Sequence, residues 1–578
     1  MHQAAASTSG AAAFRTSYRE GKHVRWFGGC APGTPARVPV GARLLWSDPP
    51  LWTVGPERHV KTVEGGGFRL AVFGPCSADE NALARAVDAP DIARTAAGWA
   101  GSFTVVRRAP DGAVEVVADA SSACPLYTVR DADGVVWGSS SLALSALAGG
   151  RVDTEWLHSF LMDKQMPSPG HSAWVGVVPV PAGHRLLLDA GGGVSTSPWW
   201  SPRTRSYRDV VPLVSKTLHE GVRARVDGVA VSSDVAGMDS TSVAVLAAQH
   251  GPVLGLTAHP EGVTDGGDMQ YARALNVPGL EHLPFPLRPE HLPFNPAVLP
   301  LPATDEPAPS SGLWAMFSAQ LLTVAERGSV CHLTGDGGDN VFMAPPVHLV
   351  ELARRLRLIR LGRDALEWSQ LRRESPWPLV GAALTRSVAR LYRPWMTRPP
   401  WLLGPAGEQP PPPEDADGVL IAGVRGAARA AFADVQLADA LGLELANPYF
   451  DGGLLDAVVS VPPEDRFTVR RYKPLLVDAM GPVLPEAHQQ RAAKGVFAGD
   501  FHRGVRANLP ALLTLADGRL AGRGLVDPGP LRAAIQGAAL GVRSVWPPLL
   551  AALVAEMWLG VVEEEKPVQW LPVEEVAR

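Results

Sequence analysis

Cysteine is scarce: four stand in 578 residues, at Cys30, Cys76, Cys124 and Cys331, with no Cys-x-x-Cys pair. A disulfide framework and a zinc ribbon are thereby excluded, and a reducing, cytoplasmic compartment is expected. Strong charge of one sign is also missing. With 53 basic and 58 acidic residues the net charge is −5, which argues against a chain whose main work is coating nucleic acid. Between Met1 and Lys22 no apolar run of signal-peptide type occurs. The greasiest late segment, Trp546 to Val562, is interrupted by Pro547, Pro548 and Glu556, so it reads as a buried or amphipathic helix rather than a membrane span. What remains, 46% hydrophobic and 19% charged residues, is a globular composition. The length allows roughly two to four domains.

Two patterns divide the chain. Up to about residue 200, short β-type runs such as Phe68–Phe73, Ser102–Arg107, Ala113–Ala118, Leu126–Val129 and Val135–Gly138 alternate with Asp-Gly turns, which predicts a β-rich layered domain over 1–205. From Tyr207 onward, helical stretches alternate with apolar runs at 228–231, Val253–Ala258, Glu281–Pro286 and Val330–Leu333. That order predicts a doubly wound parallel sheet in a second domain, 206–578, with ligands beyond the carboxyl ends of its strands. Within it, Ala353 to Arg398 holds eleven arginines against three acids, interleaved with Trp368, Trp377, Tyr392 and Trp395. A Pro-rich stretch after Gln409 closes this Arg/Trp-rich insertion, at about 353–415. Its bland reading is an amphipathic helical pair with a solvated basic face.

Two loops carry chemistry. The first runs from Ser232 through Ser233, Val235, Ala236, Gly237, Met238, Asp239 and Ser240, between a strand and a helix. Small residues there let backbone N–H groups and the helix N-terminus meet an anion, although no Walker A pattern is present. A tight turn capped by Ser240 or Thr241 is the alternative. The second, Thr334-Gly335-Asp336-Gly337-Gly338-Asp339-Asn340, puts two carboxylates among three glycines, which suits a magnesium site or, more plainly, a glycine-rich turn with solvated acids.

Together the loops resemble the Ser-Gly-Gly-x-Asp-Ser and Ser-Gly-Asp/Glu-Gly-x-Asp-Glu signatures of the asparagine synthetase-like ATP pyrophosphatases. Thr304-Asp305-Glu306-Pro307, Glu444-Leu445-Ala446-Asn447-Pro448-Tyr449-Phe450-Asp451, Lys473-Pro474-Leu475-Leu476, and Arg491-Ala492-Ala493-Lys494-Gly495-Val496-Phe497 resemble that family's later motifs in order. Gly101-Ser102-Phe103, Asp119, Pro125-Leu126-Tyr127 and Gly138-Ser139-Ser140 resemble its N-terminal glutaminase domain, an Ntn-type sandwich. A working glutaminase of that class carries Cys after the initiator Met. Here His2 occupies that position, so glutamine hydrolysis is not expected, and the domain is expected to be structural or to help bind substrate.

The resemblance implies ATP and Mg²⁺ as cofactors and an AMP-forming amide synthetase as the activity. It implies nucleotide binding by Ser233, Val235, Ala236, Gly237, Met238, Asp239, Ser240, Thr257, Gly335 and Gly337, with Mg²⁺ on Asp239 and Asp339. Lys494 is the implied catalytic cation, and Asp336 or Glu444 the group that steers or deprotonates the amine. Without tunnelled ammonia the amine is expected to come with the substrate. The chain then looks most like the lasso-peptide macrolactam synthetases, which join a linear core peptide's N-terminal amine to an Asp or Glu side chain. β-Lactam synthesis, ammonia-dependent asparagine synthesis and a non-catalytic peptide-binding scaffold are the alternatives. Expected partners are the core peptide, a leader-binding protein and a leader peptidase. Three departures stand out: Val235-Ala236 in place of Ser-Gly, Asn340 in place of Glu, and Ala446 in place of Arg.

Overall fold

The alternating runs of the first two hundred residues close into two antiparallel layers. A computed structural model describes residues 24–576 apart from 36, 57, 132–133, 166–169, 263–265, 297–298, 344, 393–396, 405–412, 491–497 and 543–545. One layer combines β1 (Trp26–Cys30), β3 (Arg43–Ser47), β4 (Pro50–Val54), β9 (Tyr127–Asp131), β10 (Gly134–Gly138) and β11 (Val177–Pro179), in the order β11-β9-β10-β1-β4-β3. The other combines β5 (Val60–Gly65), β6 (Phe68–Phe73), β7 (Thr104–Arg108), β8 (Val114–Val117), β12 (His184–Leu188) and β13 (Val194–Pro198), in the order β13-β12-β8-β7-β6-β5. Their inner faces meet at Phe27 and Phe73, stacked with ring centroids 4.1 Å apart, with Leu126, Trp137 and Val116 around them. Burying apolar inner faces this way is what holds two sheets together.

Helix Tyr207–Val226 then leads into a parallel sheet of β14 (Val231–Asp234), β15 (Val253–Pro260), β16 (Leu280–Leu287), β17 (Cys331–Leu333) and β18 (Glu444–Ala446), in the order β16-β15-β14-β17-β18. The mixed α/β class and doubly wound sheet expected from the sequence are both present. Strand β14 begins later than the apolar run suggested and takes in Ser232, Ser233 and Asp234. Its hydroxyls are satisfied inside the sheet: Ser232 Oγ meets Ser329 Oγ and His332 Nδ1, each at 2.8 Å, so polar residues cost little there. The chain progresses from β14 outward through β15 and β16, then returns to β17 on the other side. That reversal puts the loops after β14 and β17 at a topological switch point, where open α/β sheets bind ligands.

The Arg/Trp-rich insertion forms helices His348–Arg354, Leu358–Arg372, Trp377–Leu384 and Val388–Tyr392 around a core of their own that includes Leu352, Leu361 and Leu379. Trp368 belongs to that core, packed on Phe467, while Trp377 is exposed. Arg355 and Arg357 both reach Glu464, at 2.6 and 2.9 Å, and Arg360 reaches Asp465 at 3.0 Å. Trp368 is thus a core side chain, and these three arginines are held by acids outside the insertion rather than forming a simply solvated basic face.

The two halves are built as one body. Strand β19 (Trp570–Pro572), near the C-terminus, pairs with β2 (Arg37–Pro39). Trp156 and Phe160 share a core with helix Trp546–Val562, whose Glu556 accepts from the Arg519 and Leu520 amides. Among the described residues no helix is long and apolar enough to cross a membrane, and all four cysteines are free. The deepest tie is ionic. Arg225, on helix Tyr207–Val226, meets Asp451 at 2.5 Å, and Ser102 of the β-layers donates to the same carboxylate at 2.7 Å. Both charged side chains are almost fully buried. Removing one partner strands the other charge in low dielectric, so Asp451→Asn is expected to destabilise the protein by about 3–5 kcal/mol. Thermal and urea unfolding measure this, and a loss below about 1 kcal/mol would show that the pair does not tie the halves together.

Candidate functional site

Helix Met238–Ala248 has Gly237 as its N-cap, which has no side chain to cap it, and its first turn forms the positive end of the helix dipole beside the crevice. Ser240 does not cap that helix. Its Oγ turns back to accept from the Ala236 amide at 3.3 Å and fixes the loop. Met238 is buried and holds the first turn on the sheet. Asp239, in that first turn, is the acid on which the second loop closes.

The second loop lies directly on the first. A Cβ at Gly335 would stand 2.6 Å from the Ser240 nitrogen, and one at Gly338 would stand 2.6 Å from Asp239 Oδ1. Gly337 adopts φ +92°, which L side chains rarely adopt, against the Phe450 ring. These glycines therefore serve the approach of one loop to the other. The approach brings Asp239 and Asp339 to one point, and the group at that point is Lys473. Its fully buried ammonium bonds Asp239 Oδ2 and lies 2.6 Å from Asp339 Oδ1. Lys473 holds φ +44°, ψ +56°, a conformation costly for a non-glycine residue and one that clusters at functional sites. Tyr449 donates to the Asp239 carbonyl at 3.0 Å and steadies the same corner.

Lys473 was missed as a site residue. The sequence placed it only within the Lys473-Pro474-Leu475-Leu476 motif, and its burial against two acids shows only in the structure. As magnesium ligands, Asp239 and Asp339 fit in one respect: two carboxylates converge on one cation, and Mg²⁺ takes one or two carboxylates with phosphate oxygens completing its shell. Among the described residues no group of three or more His, Cys, Asp or Glu could hold a metal ion, so the two acids would leave most of an octahedral shell to phosphate oxygens and water.

Other expected residues fall elsewhere. Val235 is buried with Ala244 and Ala272, and its N–H is taken by the Leu256 carbonyl at 2.8 Å. Thr257, fully buried, donates to the Val235 carbonyl and meets His282 Nε2 at 3.0 Å, and Ser233 is buried within β14. These three shape the loop from below and do not present side chains to a ligand. Asp336 is exposed at the mouth of the crevice, its amide held by Thr334 Oγ1 at 3.1 Å. Lys494 and His2 lie outside the described residues.

Glu444 requires a correction. It begins β18 and pairs with Cys331, which places it at the amino end of the sheet, the end away from both loops. There it is enclosed by basic side chains of the β-layers: His59 Nε2 at 2.8 Å, Arg58 at 3.1 Å and Arg25 at 3.3 Å. Burial alone would raise its carboxyl, but the His59 hydrogen bond and the charges of Arg25, His59 and Arg58 hold it at about 2. A carboxylate so stabilised is a poor base for an ammonium. Glu444 is an anchor between the two halves, not the group that deprotonates the amine.

A doubly wound sheet with an anion-ready helix terminus and two acids on one cation at its switch point is the architecture of a nucleotide-using α/β enzyme. The chain belongs to the asparagine synthase family, whose profile matches residues 214–560, and so to the ATP-dependent ligases that form amide bonds. Among solved structures it is similar to the glutamine phosphoribosylpyrophosphate amidotransferase from B. subtilis complexed with ADP and GMP, at 10% identity over 56% of this chain and 78% of that one, TM-score 0.21. A structure of the allosteric regulatory enzyme of purine biosynthesis gives 10% identity, 60% and 74% coverage, and the same score. Likeness at that score adds nothing to the fold described above. No curated protein matches the chain.

The Glu444 cage makes a pH-dependent prediction. The folded carboxyl, at about 2, lies below its ordinary value of 4.5, so its stabilisation is complete above pH 4.5 and is lost as pH falls through 2. Glu444→Gln is expected to cost about 3 kcal/mol at pH 7, a deficit that shrinks as unfolding is followed from pH 4.5 toward 2. A pH-independent deficit would contradict the cage.

Proposed function

We propose that the chain is a peptide macrolactam synthetase of the lasso-cyclase kind. It activates an Asp or Glu side-chain carboxylate of a linear core peptide and closes it on the peptide's own N-terminal amine. The carboxylate oxygen bonds to the α-phosphorus of ATP and pyrophosphate leaves. The amine nitrogen then bonds to the acyl carbon, AMP leaves, and a proton is released to solvent. Little covalent help is needed, so positioning and charge neutralisation carry the chemistry.

In this reading the terminus at Gly237 to Asp239 receives the phosphates. Lys473 neutralises negative charge between Asp239 and Asp339, and those two acids would also hold Mg²⁺, which supplies Lewis-acid neutralisation of the phosphate oxygens when bound. Asp336, exposed at the mouth, is the carboxylate best placed to attract the incoming ammonium. A leader-binding protein and a leader peptidase would prepare the substrate.

One observation favours a peptide over free aspartate. Above Asp336 and Gly337 opens a cavity of about 340 Å³ whose walls come from Phe160, Leu313, Ala427, Phe501 and Leu550, from both halves of the chain. Such apolar breadth exceeds what a small polar amino acid can fill. The test is pyrophosphate release from MgATP, with product masses, for aspartate with ammonium, a small β-amino acid, and a linear peptide with a free N-terminus and one internal Asp or Glu. AMP formation with loss of one water from the peptide alone is expected. Turnover of aspartate or the β-amino acid alone would assign the chain to those branches, and failure of the protein to bind MgATP would leave the scaffold.

A further inference from the structure

The cavity above the second loop contains a lysine that belongs to the other half of the chain. Lys164 follows helix Thr154–Met162 of the β-layered half, and its backbone is fixed in several ways. Arg429, itself paired with Glu306, donates to the Lys164 carbonyl at 3.0 Å. Gly426, on helix Ala416–Ala440, has no Cβ where one would overlap the Gln165 carbonyl, so the 164–165 turn lies directly against that helix. Asp163 Oδ1 accepts the Gln165 amide at 3.1 Å and closes the turn.

The side chain is treated differently. No hydrogen bond or ion pair joins Lys164 Nζ to a described residue, although it lines the same cavity as Ser310, Asp336 and Asp434. The nearer acid is already engaged: Asp434 takes the Ser310 amide at 2.9 Å and the Ser310 hydroxyl at 3.0 Å. Burial drives the Asp434 carboxyl up to about 7, with the two Ser310 bonds and Lys164 opposing and Asp336 adding to the rise. Burial likewise lowers the Lys164 ammonium, and only Asp434 supports it. A part-buried ammonium with no direct partner among the described residues is held at a cost that a ligand's carboxylate would reduce.

The rest of the lining narrows the ligand. Lys164 is the one cationic side chain among the described lining residues, and two acids share the wall, so a polyphosphate is disfavoured. The opposite walls, Phe160, Leu313, Phe501, Leu550 and Val554, are apolar. One anionic group with an apolar neighbour suits that distribution.

We propose that Lys164 is a substrate-binding residue lent by the β-layered half to the synthetase cavity, where its ammonium receives the reacting carboxylate of a substrate that carries an apolar or aromatic group beside it. This rests on the ligase reading above and adds a specificity to it. Glu306, through Arg429, is the positioning residue that keeps Lys164 in place.

The experiment compares wild type, Lys164→Met and Lys164→Arg in pyrophosphate release from MgATP, with a linear peptide whose single Asp lies between Phe and Leu, and with the same peptide carrying Ser at both flanks. Lys164→Met is expected to raise KM for the Phe/Leu peptide about tenfold or more while KM for MgATP stays unchanged, and Lys164→Arg to recover part of the loss. Wild type should prefer the Phe/Leu peptide to the Ser-flanked one. An unchanged peptide KM in Lys164→Met, or a fall confined to kcat, overturns the assignment. If wild type turns over neither peptide, the peptide-ligase reading is what fails. Acetylation of Lys164 by an N-hydroxysuccinimide ester, followed by peptide mass mapping, then decides the binding claim separately: protection by the Phe/Leu peptide supports it and equal labelling overturns it.

Discussion

One buried ammonium sets the geometry of this protein's reactive end. Lys473 bonds Asp239 from the loop after β14 and Asp339 from the loop after β17, so two segments a hundred residues apart are fixed at one point. The glycines at 335 and 338 make that approach possible, since a side chain at either would collide with the first loop. Lys473 accepts a left-handed backbone to reach the acids, the kind of local cost that a structure retains where the surrounding contacts over-determine it. The helix terminus at Gly237 is adjacent to this cluster, so a helix dipole and a fixed cation stand side by side at the sheet's switch point.

The β-layered half does mechanical work around that centre. Polar contacts from it enter the synthetase half: Ser102 to Asp451, Ser121 to the Phe450 carbonyl, Ser140 to Asp305 at 2.7 Å, and the Arg25, Arg58 and His59 cage around Glu444. Residues that resembled a glutaminase domain in the sequence thus act as joints. The motif from Glu444 to Asp451 is held at both ends, and Phe450 within it reaches the ring position over Gly337. Anchoring the β-layers therefore also shapes the second loop.

Much of this was legible in the sequence, and the rest was hidden for physical reasons. The βα alternation gave β15, β16 and β17 closely, because β15 and β17 are buried parallel strands written as apolar runs and the edge strand β16 keeps Leu280, Leu283, Phe285 and Leu287. Strand β14 was displaced because Ser232, Ser233 and Asp234 are polar and are satisfied only by partners from distant parts of the chain, such as Ser329 and His332. Strand β18 has three residues, too few for any periodicity to show. The two loops and their acids were found from residue type and spacing, yet the convergence on Lys473 is tertiary and no spacing reveals it. Glu444 was misplaced because a motif records which residues are present, not which end of a strand faces the crevice. Val235 and Thr257 were grouped with the ligand-binding loop although their polar backbone and hydroxyl groups are spent inside the sheet.

The account stands or falls on Asp239, Lys473 and Asp339 acting as one unit toward the nucleotide. Isothermal titration of MgATP into wild type, Lys473→Met, Asp339→Asn and the double variant measures this directly. Each single variant is expected to weaken binding about tenfold or more, and the double variant to be little worse than either, as residues of one unit are strongly non-additive. Unchanged MgATP affinity in the single variants, or losses that multiply in the double variant, would contradict it.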